Sequence, residues 1–331
     1  MHKISITTRR RFLSVLGAAA ASQLVLPSVF AQGKFPSGPI TIVVPFAPGG
    51  PTDASARVIA RAMSVALGQP VVVENKPGAG GILGTTQVAQ SAADGYTLLW
   101  GGTSSLAVAP ALYANAKFSP ETSFVPIGLS TRGSMILAGK ASLEPNNIRE
   151  LVAYAKNTPL DMGNGGNGTL AHLASEYFKE LTGIQMLSIP YRGGAPALID
   201  LLGGVIDTVF DNTSFLAQHI QSGKLKAYAV TGRQRHKDFP DVPTVAEVFG
   251  GDFEVYSWFG LFAPQGTPEQ AISLLAEAMS EANSDPATQK TLTGAGLEPA
   301  NVSRAEASKV VVGDYQKWSQ IIDRAGVTVN G

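Results

Sequence analysis

The chain has 331 residues, 25 basic and 25 acidic, and no cysteine. That length buries a core without covalent staples, and the missing cysteines exclude disulfides, a thiol nucleophile and a Cys-ligated metal. The balanced charge offers no basic face for nucleic acid or anionic lipid.

Residues 1–31 read as an export leader. Thr8-Arg9-Arg10-Arg11-Phe12-Leu13 has the twin-arginine pattern, a modest apolar stretch follows, and Val29-Phe30-Ala31 suits cleavage before Gln32. Ser14, Gly17, Ser22 and Gln23 interrupt that stretch, which is shorter than the ~20 residues a membrane span needs. A cleaved signal is therefore expected, not an anchor. Its loss removes Lys3, Arg9, Arg10 and Arg11 and leaves 21 basic residues against 25 acidic, a net charge of −4.

The apolar run 40–44 predicts a buried strand, and Asp53 is placed to cap a helix over 53–67. Between them Pro45, Pro48, Gly49, Gly50 and Pro51 shape a tight loop. Such a loop aims backbone N–H groups and a positive helix end at one point, where an anion fits. A strand at 71–74, a glycine loop at 76–81, a helix at 82–90 and a strand at 96–100 complete a βαβαβ run. Right-handed crossovers place the first strand centrally, so the first and third loops meet where such sheets bind ligands. That third loop contains Ser104 and Ser105.

Residues 124–130 and 135–138 read as two extended segments. Asn147 with Glu150 predicts a capped helix over 148–156. A second glycine loop, 163–168, heads a helix over 169–181. A strand at 184–189 leads into Pro190-Tyr191-Arg192-Gly193-Gly194-Ala195-Pro196 and a helix at 197–202. Val-Pro-Phe-Ala-Pro-Gly-Gly at 44–50 and Ile-Pro-Tyr-Arg-Gly-Gly-Ala at 189–195 share one plan, which suggests two similar lobes with facing loops. Strands follow at 205–212 and 227–231, and 232–243 reads as a solvated loop. A strand at 256–263 precedes helices at 268–282, 286–294 and 304–325, two of them opened by capping boxes.

Gly163-x-Gly165-x-x-Gly168 has dinucleotide spacing, but no acidic residue ends the next strand, so a nicotinamide cofactor is not expected. The loop is better used as a set of donors heading its helix, with Asn164, Asn167 and Thr169 beside them. His172, His219 and His236 are widely separated and set up no zinc site. No G-x-S-x-G elbow or P-loop is present. His172 reads as a surface or packed helix residue, and Asp211 as either a cavity wall or a turn residue.

The segments Pro45–Arg57, Glu74–Gly101, Gly163–Glu176, Pro190–Asp207 and Trp258–Pro268 resemble, in order, the Bug family of extracytoplasmic receptors for tripartite tricarboxylate transporters. The resemblance implies an α/β fold of the type II periplasmic binding class. Two lobes, each a mostly parallel sheet flanked by helices, would be joined by a two-crossing hinge near 129–131 and 254–256. Lobe 1 would comprise 32–129 and 256–331, and lobe 2 130–255. The implied cargo is a small organic carboxylate, held largely by loop backbone and ordered water, and the implied partners are the transporter's membrane subunits or a sensor kinase.

The candidate ligand-binding residues are Phe46, Pro48, Gly49, Gly50, Thr52, Asp53, Ser104, Ser105, Asn164, Gly165, Gly166, Thr169, His172, Arg192, Gly193, Ala195 and Asp211. Arg192 departs from the neutral pattern of the other loops. A periplasmic monomer without catalytic residues, cofactor, metal or nucleic-acid partner is expected. The alternative is an exported serine hydrolase of small carboxylate esters acting through Ser104 or Ser105.

Overall fold

A computed structural model describes residues 35–113, 116–251 and 253–328, so the expected leader lies outside the described residues. β1 (Ile40–Val44), α1 (Pro51–Leu67), β2 (Val71–Asn75), α2 (Ile82–Ala89) and β3 (Thr97–Gly102) come first. A π-helical turn at Ser104–Val108 leads to α3 (Ala109–Leu112) and the long β4 (Phe124–Lys140). Next are α4 (Ile148–Ala155), β5 (Leu160–Asn164), α5 (Leu170–Thr182), β6 (Met186–Pro190), α6 (Gly194–Leu202), β7 (Thr208–Asn212), α7 (Thr213–Gln221) and β8 (Leu225–Val230). The described chain finishes with α8 (Val245–Phe249), β9 (Tyr256–Pro264), α9 (Glu269–Ser284), α10 (Pro286–Gly294), β10 (Pro299–Val302) and α11 (Arg304–Ala325).

Local chemistry accounts for these elements. β1 is apolar and central, paired in parallel with β2 on one side and β3 on the other. β2 lies at a sheet edge and alternates between half-buried and exposed residues. α1 turns Ala56, Ile59, Ala60 and Met63 inward and stops at Gly68, whose positive φ suits a residue without a side chain. Asn147, Asp285 and Ser303 cap α4, α10 and α11. Thr267 does not cap α9. Its hydroxyl donates to the Pro264 carbonyl instead, and Pro268 precedes the first helical residue.

Strand order gives two sheets that share β4. The first runs β2-β1-β3-β9-β4, with β10 also on β4. The second runs β4-β7-β5-β6, with β8 also on β4. Each half has three parallel strands, β2-β1-β3 and β6-β5-β7, while β4 and β9 run antiparallel to their neighbours. The segments expected at 124–130 and 135–138 are one strand. β4 pairs with β9 through Ser134 and with β7 from Met135 onward, so its partner changes between these two residues.

The halves repeat a topology, because the first strand of each parallel trio is central. Under this correspondence the loop after β1 matches the loop after β5, not the loop after β6. The likeness between residues 44–50 and 189–195 therefore joins non-equivalent loops. They do meet, since the Ala47 N–H donates to the Arg192 carbonyl at 3.3 Å.

The segment 232–243 is not simply solvated. His236 and Phe239 are buried there, and His236 Nε2 lies 3.2 Å from Glu298 beside β10.

Candidate functional site

The loop from β1 into α1 is braced from behind. Asp53 is not the cap of α1; Gly50 holds that position and Asp53 sits inside the first turn. Its buried carboxylate reaches back to accept the Gly49 N–H at 3.0 Å. It also accepts Arg57 Nε at 3.0 Å and Asn75 Nδ2 at 2.9 Å. The same Asn75 amide donates to the Phe46 carbonyl. Burial raises the Asp53 carboxyl, but the donors from Arg57, Gly49 and Asn75 outweigh it and hold the group below the usual carboxylate range.

The loop from β5 into α5 has its own bracing. Asn164 Oδ1 accepts the Gly166 N–H, and Asn164 Nδ2 donates to Ser188. Thr169 caps α5 by accepting the His172 N–H, and its hydroxyl donates to the Gly166 carbonyl. His172 is buried and its Nδ1 accepts the Gly168 N–H at 3.3 Å. Burial lowers its pKa, consistent with a neutral ring that accepts at Nδ1. His172 thus holds the loop in shape.

Between these loops lies a cavity of about 70 Å³. The starts of four helices form much of its wall: Gly50, Pro51 and Thr52 of α1; Thr169, Leu170 and Ala171 of α5; Gly193 and Gly194 of α6; and Asn212 at α7. Gly50, Gly193 and Asn212 make no side-chain cap, so the first N–H groups of α1, α6 and α7 lack that partner. α6 begins three residues earlier than expected, which carries its end to the cavity. The remaining wall is Phe46, Ala47, Thr103, Ser104, Met135, Gly165, Asp211, Ser257 and Phe259.

Of the candidates, Phe46, Gly50, Thr52, Ser104, Gly165, Thr169, Gly193 and Asp211 line this cavity. Pro48, Gly49, Asp53, Ser105, Asn164, Gly166, His172, Arg192 and Ala195 do not. Ser105 is buried and bonded to Gly102, accepting its N–H and donating to its carbonyl. Ser104 Oγ accepts the Leu170 N–H at 2.9 Å, and neither serine is hydrogen-bonded to a base. Arg192 is exposed and lines an outer cavity of about 520 Å³ with Tyr113, Asn167 and Gly166. Phe46 and Gly165 line both spaces. No group of three or more potential metal ligands occurs among the described residues.

Sequence reasoning missed Ala47, Pro51, Thr103, Leu170, Ala171, Gly194 and Asn212 beside its candidates, and Met135, Ser257 and Phe259 away from them. Met135 lies where β4 changes partner, and Ser257 and Phe259 flank Trp258 on β9. A search of the crossing strands, not only the glycine loops, would have found Met135, Ser257 and Phe259. Among the described residues, hydrogen bonds join the cleft loops of the two halves: the Ala47 N–H to the Arg192 carbonyl, the Leu170 N–H to Ser104 Oγ and Tyr113 Oη to the Asn167 carbonyl. The described conformation is closed.

A cavity lined by helix starts from two similar halves, with two strands crossing below it, defines a two-lobed type II periplasmic binding protein. Residues 55–327 match the family model of the tripartite tricarboxylate transporter family receptor. The chain belongs to that receptor family, the Bug proteins. It is 36% identical to the protein BugT of Bordetella pertussis over 319 residues, 96% of this chain and 98% of that one. The structure of the periplasmic binding protein BugD is 41% identical and superposes with a TM-score of 0.84, covering 89% of this chain and 99% of that one. MatC of Rhodopseudomonas palustris, solved with malate bound, is 33% identical with a TM-score of 0.82, covering 87% and 100%. No described helix is long and apolar enough to cross a membrane.

Proposed function

We propose that this chain captures a small organic carboxylate in the periplasm and presents it to the membrane subunits of a tripartite tricarboxylate transporter. A sensor kinase is the alternative recipient. One observation carries the reading: helix starts from both halves converge on a small cavity whose walls include no Lys, Arg or His. An anion there is stabilised by N–H groups and helix dipoles from both halves at once. A ligand touching both halves favours their closed arrangement, which is the signal a membrane partner would read. The malate bound by MatC supports a carboxylate as cargo.

In this reading the mature receptor starts at Gln32 after twin-arginine export, acts as a monomer and catalyses nothing. Its lobes are 32–129 with 256–331, and 130–255. The ligand carboxylate sits between the loops 46–53 and 163–169, against Ser104.

A thermal-shift screen of small carboxylates tests the proposal. Ligand at a hundredfold over its dissociation constant stabilises the receptor by ~2.7 kcal/mol, a melting shift of several degrees. The methyl ester of the gripped carboxylate should lose most of that shift, and Gly50→Val and Gly165→Val should lose it for the acid. Equal shifts with acid and ester would sink the cradle.

A further inference from the structure

The cavity contains one titratable group among its described walls, and it has the sign of the expected cargo. Asp211 is the penultimate residue of β7, two residues before the start of α7. Its Oδ1 accepts the Asn212 N–H at 2.7 Å and the Asn212 side-chain amide at 3.4 Å. No described group donates a hydrogen bond to Oδ2, and no cation pairs with the carboxylate. That oxygen faces the start of α6, where a Cβ on Gly194 would come within 2.5 Å of it. The other walls come from α1, α5, α6, β4, β9, the Thr103-Ser104 turn and the loops at Phe46-Ala47 and Gly165, and bring no Lys, Arg, His, Asp or Glu to face it.

A plain carboxylate closed into about 70 Å³ would put a second anion near this one without a counter-ion. The space is worth roughly five water-sized volumes, so a ligand gripped at one end has its remaining atoms close to Asp211. Burial pushes the Asp211 carboxyl up to about 6, with the Asn212 donors opposing, so it is largely ionised at neutral pH. An ionised carboxylate short of partners calls for a donor on the ligand.

We propose that Asp211 is the specificity determinant of this cavity and pairs with an ammonium group, so that the captured ligand is a small amino carboxylate. This rests on the carboxylate-receptor reading. The ligand's carboxylate lies toward α1 and α5, its ammonium group toward Asp211, and Asn212 and Ser257, themselves hydrogen-bonded to each other, form the adjoining wall.

Titration calorimetry with three matched series tests it: propionate, lactate and alanine; succinate, malate and aspartate; glutarate, 2-hydroxyglutarate and glutamate. In the series that fits, the amino member should bind about tenfold or more tighter than the unsubstituted acid. Asp211→Asn preserves size and removes the charge, so it should weaken binding of the amino member, strengthen binding of the unsubstituted acid and thereby erase the preference. Affinity for the amino member should fall as pH drops through about 6, where Asp211 protonates, and should lose this dependence in Asp211→Asn. An unsubstituted or hydroxy acid binding as tightly as its amino counterpart would overturn the inference and leave the carboxylate reading intact. A preference that survives Asp211→Asn would do the same. No binding across all nine probes would overturn both.

Discussion

Asp53 and Ser104 hold the cleft loops in opposite ways, one from behind and one from within. Replacing Asp53 by Asn removes the charge that gathers Gly49, Arg57 and Asn75. Arg57 is half exposed, so its share is screened, and the expected loss is about 1–3 kcal/mol at neutral pH. The folded carboxyl is held below its ordinary value. Its stabilisation is therefore present above the unfolded value of about 3.9 and disappears as pH falls through the folded one. Melting curves of wild type and Asp53→Asn should differ by a few degrees at pH 7 and converge below about pH 4. A gap that persists unchanged in strong acid would contradict this role. Ser104→Ala leaves the Leu170 N–H without its partner in the closed form, at a cost of about 1 kcal/mol, read as roughly fivefold weaker binding. Asp53 was legible as a polar residue at a helix start. Its role behind the loop was not, because Asn75, which joins it to the Phe46 carbonyl, is 22 residues away in sequence.

Among the elements, the glycine loops set how closely the halves approach. Gly80 has a φ of 61°, and a Cβ there would lie 2.5 Å from the Asn167 carbonyl oxygen of the facing loop. Gly68 has a nearly identical φ of 63° and open space around it. Gly80→Ala and Gly68→Ala should therefore carry similar backbone strain, of order 1 kcal/mol. Only Gly80→Ala should also wedge the halves apart and weaken ligand binding in a titration. Equal binding by the two variants would remove Gly80 from the closure surface. The parallel trios were legible from apolar runs alternating with helices, with the central place of β1 following from crossover handedness. β4 was not legible as one strand: Gly133 and Ser134 interrupt its apolar pattern, and its continuity comes from β9 pairing as far as Ser134. The likeness between the β1 and β6 loops marked surfaces that meet, and misled only about which strands correspond.

At the scale of the whole molecule, the closed halves share a core, and β4 and β9 run beneath the cavity. Small-angle scattering should give a larger radius of gyration without ligand and the dimensions of the closed form with it; identical profiles at saturating ligand would contradict hinged capture. Export is expected to need the guanidinium pair, so Arg9→Lys with Arg10→Lys should leave precursor in the cytoplasm. Normal periplasmic yield from that variant would refute the twin-arginine assignment. The glycine loops and Asp211 made much of the cavity wall legible, whereas its floor from β4 and β9 depended on long-range pairing. The most direct test of the central claim is a crystal structure with the tightest-binding carboxylate from the screen. The account predicts one ligand carboxylate between the start of α1 and the loop 163–169, within hydrogen-bond distance of backbone N–H groups and of Ser104 Oγ. A carboxylate seated on Arg192 in the outer cavity, with the inner one filled only by water, would contradict it.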